Sequence, residues 1–203
     1  MTKYLAIAFL ITGFLLSGCA GTTRPANRDF VRPTQETLKL GETTYSQVVQ
    51  LFGEPQRPHS GGKRLVHGKP ILSIMYSYGS ITGEPLEHGI LPRRIMHFSF
   101  LNDILVSQMF TSSFKSDHSN FDYSKINAIV KGKTTRSEVI QLMGKPSSSS
   151  IPPMVEKTAS KGVGYLYTTT RIGEKPVKVY TKSLEISFNE NDVVSDIRSS
   201  WTK

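Results

Sequence analysis

The sequence predicts an α+β fold of two tandem modules, each a helical hairpin packed on a three-stranded antiparallel sheet. Two observations support this prediction. The segment GETTYSQVVQLFGEP at residues 41–55 recurs as GKTTRSEVIQLMGKP at residues 132–146, with nine of fifteen positions identical at an offset of 91. Segments with the alternating pattern of strands then follow each copy in the same order. A repeat that contains helix and strand signals together indicates a duplicated α+β unit.

Each copy of the repeated segment encodes a short helix with both of its ends. A threonine precedes a glutamine or glutamate by three residues, which is the spacing of a capping box: Thr44 with Gln47, and Thr135 with Glu138. Apolar residues at i, i+3 and i+4 form one stripe: Val48, Leu51 and Phe52, then Val139, Leu142 and Met143. A glycine suits the left-handed position after the last turn, and a proline then prevents the helix from resuming: Gly53 and Pro55, Gly144 and Pro146.

A second, shorter helix is predicted before each copy. Residues 34–40 read TQETLKL and stop at Gly41, and residues 124–131 read SKINAIVK and stop at Gly132. A glycine directly after a short helical pattern is a typical end signal. Each module therefore opens with a predicted helical hairpin.

Three strands are predicted after each hairpin. Tyr76 and Tyr78 correspond to Tyr165 and Tyr167, both pairs with the period of two that places alternate side chains on one face. Residues 94–110 and 182–200 then align at an offset of 88, with hairpin turns at residues 102–103 and 191–192. Residues 34–112 therefore form the first predicted module, 113–121 a linker and 122–203 the second module.

The doubled GxTTxxxVxxLxGxP pattern resembles the SmpA/OmlA, or BamE-like, family of bacterial outer-membrane lipoproteins. The module of that family is shared with the β-lactamase inhibitor protein fold, and the resemblance covers residues of about 34–112 and 122–201. It implies a non-enzymatic lipoprotein that binds an envelope protein and supports outer-membrane assembly or envelope integrity. The best-known members have one module, so the doubling leaves a direct role in the barrel assembly machinery open.

The N-terminus predicts export and lipidation. Residues 1–18 contain Lys3 and an apolar run at residues 5–16, the layout of a secretory signal peptide, and the run is too short to span a bilayer. Residues 16–19, LSGC, resemble the lipobox, and Cys19 is the single cysteine of the chain. We therefore expect acylation of Cys19, for example with palmitate; an ordinary signal peptide with an incidental cysteine is the alternative. Ala20 in place of an aspartate resembles the sorting signal for the outer membrane.

The segment after Cys19 predicts a tether that lets the fold face the periplasm. Residues 19–33 are small, polar and proline-containing, and such a segment spans roughly 20 Å as a flexible chain. Without Lys3 the chain has 24 basic and 16 acidic side chains. For an exported protein this excess favours anionic lipid headgroups, an acidic protein partner or simply a solvated basic surface, and it does not favour nucleic acid.

No motif in the sequence predicts catalysis. The chain lacks GxSxG, a paired-histidine metal spacing and a glycine-rich phosphate loop before a helix. We therefore expect no enzyme activity, no cofactor, no metal and no small-molecule substrate. The alternative to the scaffolding role is a periplasmic inhibitor of a hydrolase, of the β-lactamase or lysozyme inhibitor type, that grips an enzyme with both modules.

A protein-binding surface is predicted on the sheet face that the helices leave open. Aromatic and arginine side chains dominate such interfaces, and the alternating strands offer four tyrosines, Tyr76, Tyr78, Tyr165 and Tyr167. The long loop at residues 79–92, followed by Arg93 and Arg94, is predicted at the edge of that face. The competing interpretation is that the tyrosines simply pack within the sheet.

Overall fold

The computed structural model describes residues 28–34, 36–55, 57–58, 64–171, 173 and 178–202. The predicted signal peptide, Cys19 and most of the predicted tether lie outside this range. Among the described residues, no helix is both long enough and apolar enough to cross a membrane.

In each half of the chain the helical segments come first and the strands follow. In the first half they are α1 (Tyr45–Phe52), β1 (Arg57–Pro58), β2 (Arg64–Val66), β3 (Lys69–Gly79), β4 (Arg93–Leu101) and β5 (Ile104–Ser112). In the second half they are a 3-10 helix (Tyr123–Ala128), α2 (Arg136–Met143), β6 (Ser148–Ser150), β7 (Lys161–Thr170), β8 (Val179–Phe188) and β9 (Val194–Thr202). The predicted α+β class is confirmed.

The strands form one continuous antiparallel sheet. The sequence predicts a three-stranded sheet in each module and leaves open whether the two sheets join. The order of the strands is β1-β3-β4-β5-β6-β7-β8-β9, and β2 also pairs with β3. Within the sheet, β3–β5 and β7–β9 are two runs of three consecutive antiparallel strands, or meanders, and the short strand β6 joins them. β6 pairs with β5 on one side and with β7 on the other. Ser147, directly before β6, adds to this join: its carbonyl accepts the N–H of Phe110, and its hydroxyl accepts the N–H of Leu166 at 2.6 Å. A run of four serines has no apolar alternation, so it carries no sequence signal for a strand.

The first helices of the predicted hairpins do not form as α-helices. Residues 36–38 form turns, and the corresponding segment of the second module is a 3-10 helix. In each module a threonine hydroxyl accepts a backbone N–H four residues earlier, from Lys39 to Thr43 and from Val130 to Thr134, both at 2.8 Å. Such side-chain bonds offer the backbone an alternative to the helical ladder, which seven or eight residues cannot sustain alone.

The helices of the repeated segment are confirmed, together with both capping boxes on Thr44 and Thr135. The glycine that follows each helix differs from its prediction. Gly53 has φ 83° and ψ −169°, and Gly144 has φ 85° and ψ −163°. These angles lie outside the left-handed helical region and in a region that is essentially restricted to glycine. The need for glycine is therefore stronger than the predicted cap implies.

One face of the sheet is covered by the helices and turns and contains the hydrophobic core. The core of the first module combines four buried aromatic rings with five other apolar side chains: Tyr76, Phe98, Phe100 and Phe110, and Leu38, Val48, Ile74, Met96 and Leu105. Phe30, Leu40, Tyr45 and Phe52 pack at its margin. The core of the second module also has four buried aromatic rings, Phe121, Tyr165, Tyr167 and Phe188, together with Ile129, Val139, Met143, Val163, Leu184, Ile186 and Val194. In the described part of the chain the opposite face carries no helix, and it is the first candidate for a functional surface.

Candidate protein-binding surface

The helix-free face of the sheet holds a groove of about 460 Å³ that extends over both modules. Its lining residues extend from β2 in the first module to β9 in the second. The sheet therefore curls around the groove. Small residues of the inner strands dominate its floor: Ser73, Ser99, Ser107, Ser148, Ser150, Gly162, Gly164 and Ser187. We call this surface the helix-free groove.

The depth of the helix-free groove follows from the small size of its floor residues. Ser73 and Ser99 approach at 3.2 Å between their hydroxyls, and Ser107 and Ser150 at 2.8 Å. A Cβ atom on Gly164 would collide with the hydroxyl of Ser148, so the close approach of β6 and β7 depends on glycine. The floor therefore presents hydroxyls and backbone between bulkier side chains such as His97 and Met109.

Charged side chains surround this floor. Arg64 is exposed at one end in the first module, and Glu185 is exposed on β8 in the second. Arg198 pairs with Glu156 and, at 3.1 Å, with Asp196. The helix-free groove thus combines a hydroxyl-lined floor with a rim of both charges, a composition suited to a polar protein surface.

The structure corrects the prediction that the tyrosines of β3 and β7 lie on this open face. Tyr76, Tyr165 and Tyr167 are only 5%, 2% and 5% exposed and face the helices. Tyr76 donates a hydrogen bond to the carbonyl of Gly53 at 2.5 Å, and Tyr165 donates to that of Gly144 at 3.0 Å. Burial raises the pKa of the Tyr165 hydroxyl to about 12. A period of two separates the faces of a strand but does not say which face the helices cover.

Tyr167 connects the long loop at residues 79–92 to the second module. Its hydroxyl donates to a carboxylate oxygen of Glu87 at 3.2 Å, and its pKa is raised by burial and then by the Glu87 charge. Ile90 of the same loop is 2% exposed, and its backbone forms an isolated antiparallel β-bridge with Arg171. The loop therefore packs across the junction between the modules.

The remaining predicted site residues hold the linker and the N-terminal segment. The ring of Tyr78 stacks on Phe114 at 5.8 Å, and the Arg94 guanidinium lies 4.2 Å from the centre of the same ring. Arg94 also bonds Asp29 at 2.5 Å and Asp117 at 2.7 Å. These contacts stabilise the fold. Of the six predicted site residues, only Arg93 is exposed. The six predicted residues thus do not form one patch.

Sequence reasoning missed the serines and glycines of the helix-free groove. Their signal is visible in hindsight on β3 and β4, where small polar residues alternate with the large core residues: Ser73 beside Ile74, and Ser99 beside Phe98 and Phe100. No group of three or more histidine, cysteine, aspartate or glutamate side chains suited to a metal ion occurs in the described part of the chain.

Comparison with known proteins supports a family relationship for the second module. Residues 120–198 match the family model described as the outer membrane protein assembly factor BamE domain, which confirms the predicted BamE-like resemblance there. No curated protein matches the chain. A crystal structure titled "putative beta-lactamase inhibitor protein" from Streptococcus mutans is 13% identical, with a TM-score of 0.39, and covers 78% of this chain and 82% of that one.

Proposed function

We propose that this chain, which carries a BamE domain at residues 120–198, is a non-enzymatic, lipid-anchored protein of the outer membrane that binds an envelope protein during outer-membrane assembly or maintenance. The family match is the observation that carries the proposal, because that family is described as an outer-membrane assembly factor. The first module, which shares nine of fifteen positions of the repeated segment, is proposed to serve the same role.

The architecture supports a binding role for both modules together. Since β6 joins the two meanders into one sheet, the modules have a fixed relative orientation and can contribute to a single interface. A standard protein interface takes about 800 Å² from each partner. We propose that the helix-free groove and its charged rim supply that area.

Photocrosslinking in intact cells tests this assignment. Photoreactive residues at Arg64 and Glu185 would report on the two ends of the helix-free groove, one in each module. Gln50 and Gln141 are matched controls, because they occupy equivalent exposed positions on α1 and α2. We expect both groove positions to capture the same envelope protein, identified by mass spectrometry. Adducts confined to the helix positions would refute the placement.

The hydrolase inhibitor is the alternative function, and it is tested separately. Purified full-length protein would be titrated into a β-lactamase and into a lysozyme. We expect no loss of either activity at micromolar protein. Inhibition of one enzyme at a stoichiometric amount would favour the inhibitor and contradict the assembly role.

The anchor is tested at Cys19. We expect Cys19→Ala to abolish labelling with radioactive palmitate and to remove the protein from the outer-membrane fraction, because no other residue of the predicted lipobox can be acylated. An alanine variant that is still labelled and still fractionates with the outer membrane would overturn the proposed lipid anchor.

A further inference from the structure

The helix-covered side of the sheet has a second groove, of about 550 Å³, at the junction between the modules. It lies between the N-terminal segment, β5, α2 and β6, and we call it the junction groove. Its lining combines apolar residues with hydroxyls and cations: Arg32, Pro33, Met96, Gln108, Phe110, Arg136, Ile140, Lys145, Ser147, Ser148 and Ser149. A smaller groove of about 310 Å³ shares Gln108, Arg136 and Ser149 and extends it toward Lys39 and Lys161.

The junction groove concentrates positive charge without a counterion. Arg32, Arg136 and Lys145 line it, and no carboxylate does. The Arg32 guanidinium lies over the ring of Phe110, 5.6 Å from the ring centre. It donates a hydrogen bond to the carbonyl of Pro146, a neutral acceptor. The nearby charge of Arg32, followed by burial, lowers the pKa of Lys145. Ion pairs with Arg136 or Lys145 are absent among the described residues, so an anionic ligand would relieve this repulsion.

Comparison of the two repeats shows that this charge is specific to the junction. At the positions equivalent to Arg136 and Lys145 the first module has Tyr45 and Glu54. Glu54 contributes, after burial, to the raised pKa of Tyr45, so the two positions lie near each other in that module too. The shared frame thus tolerates neutral and acidic residues there, and only the copy that faces the junction has two cations.

A further feature of the junction groove favours a polypeptide as the ligand. The side-chain oxygen of Gln108 is buried and accepts no hydrogen bond from the described residues. A protein segment offers carboxylates for the cations and backbone N–H groups for this oxygen, whereas a phosphodiester offers no such donor. Because the two grooves share Gln108, Arg136 and Ser149, an extended chain could continue from one into the other.

We infer that the junction groove binds an extended acidic segment of a partner protein. This inference rests on the proposed protein-binding function and names a chemical class of partner and a separate surface for it. Arg136 and Lys145 would bind carboxylates, Arg32 would contribute the third charge, and Gln108 would accept a backbone N–H of the segment.

The test uses the full-length chain in detergent micelles and a fluorescein-labelled peptide of ten alternating glutamate and serine residues. We expect saturable binding by fluorescence anisotropy that weakens as sodium chloride is raised, because salt screens the charges. Lys145→Glu and Arg136→Tyr should each weaken binding at least tenfold. Both introduce the residue of the first module at the equivalent position, so the fold is expected to persist, and thermal unfolding checks this.

Lys133→Glu is the matched control. It also introduces the residue of the first module, Glu42, and changes the charge by the same amount as Lys145→Glu, but Lys133 does not line the junction groove. We expect less than a twofold effect. An effect equal to that of Lys145→Glu, or failure of the wild-type chain to bind the peptide, would overturn the inference.

Two further measurements separate the possible sources of negative charge and the two proposals. Phosphatidylglycerol vesicles or inorganic phosphate that bind in a Lys145-dependent manner while the peptide does not would overturn the inference in favour of a phosphate group. In cells, capture of an envelope protein from Arg64 and Glu185 but not from Ser149 would overturn only the inference. Absence of capture from all three positions would contradict the proposed function itself.

Discussion

In the first module Tyr76 donates its hydrogen bond to the carbonyl of Gly53, and in the second Tyr165 donates to that of Gly144. The equivalence extends to the backbone. The N–H of Gly41 donates to the carbonyl of Leu105, and the N–H of Gly132 donates to the carbonyl of Val194, both at 2.8 Å. The β4–β5 and β8–β9 pairs also shift register at matching residues, Ser99/Phe100 and Ser187/Phe188. Polar and backbone contacts thus recur between modules in which many side chains differ.

In the cores, by contrast, the side chains differ between the two modules. The ring centres of Phe52 and Phe98 lie 5.1 Å apart in the first module. The equivalent residues in the second module are Met143 and Ile186. Cores accept such exchanges when the total apolar volume is rearranged to fit. The comparison indicates that the caps, glycines and tyrosine hydroxyls specify the module, whereas the identity of the apolar side chains is interchangeable. The BamE family model matches residues 120–198, in the second module.

The largest expected effect comes from removing one core side chain of each module. Phe98 is 0% exposed and Ile186 is 1% exposed. We expect Phe98→Ala to lower the free energy of unfolding by about 3–5 kcal/mol and Ile186→Ala by about 2–5 kcal/mol. Urea unfolding of the purified variants measures both. A cost below about 1 kcal/mol at either position would show that its module does not depend on this core.

The glycines after the helices test the shared frame. We expect Gly53→Val and Gly144→Val each to cost about 1–3 kcal/mol, because a β-branched residue is strained at their backbone angles. Gln50→Val and Gln141→Val are the matched controls on the exposed helix surfaces, with an expected cost of about 0.5 kcal/mol. Melting of Gly144→Val at the wild-type temperature would contradict the assigned helix end.

The tyrosine hydroxyls give a smaller effect of the same kind. Tyr76→Phe and Tyr165→Phe each remove the partner of a glycine carbonyl and should cost about 1–2 kcal/mol. Tyr78→Phe is the control, since its hydroxyl makes no hydrogen bond with the described residues and its ring keeps the contact with Phe114. Equal stability of all three variants would show that these bonds do not support the frame.

The capping boxes supply the smallest difference, and it depends on pH. The first box uses the neutral Gln47, whereas the backbone N–H of Thr135, followed by its hydroxyl, lowers the pKa of Glu138 in the second. This lowered pKa stabilises the fold above the pKa of an unfolded glutamate, about 4.3, and the stabilisation is lost as pH falls through the folded value. We expect Glu138→Gln to reduce the stability difference between pH 7 and pH 3, measured by thermal unfolding. An unchanged difference would contradict this contribution.

Prediction from sequence succeeded where the signal is local. The helices at Thr44 and Thr135 carry their caps within four residues, and the hairpin at residues 102–103 has positive φ angles at Asn102 and Asp103, as a two-residue turn requires. It failed for residues 34–40, because turn and helix have similar local signals there. The burial of Leu38 and the hydrogen bond from the Lys39 N–H to the Thr43 hydroxyl favour the turn.

The candidate sites were the least predictable part of the protein. Tyr76 and Arg94 are the residue types that dominate interfaces, yet both contact other parts of the same chain. The serines of the helix-free groove and the cations of the junction groove acquire their roles only when distant segments meet. Arg32 and Lys145 stand 113 positions apart in the sequence and line the same groove.

The amino-acid sequence by itself determined the duplication, the helix caps, the strand order within each meander and the BamE-like resemblance of the second module. These features depend on neighbouring residues, whose periodicity and capping chemistry act over a few positions. Tertiary structure alone decided the joining of the meanders through β6, the burial of Tyr165 and the charge of the junction groove. Each of these depends on contacts between segments far apart in the chain, and the free energy of such contacts is not encoded in any local pattern.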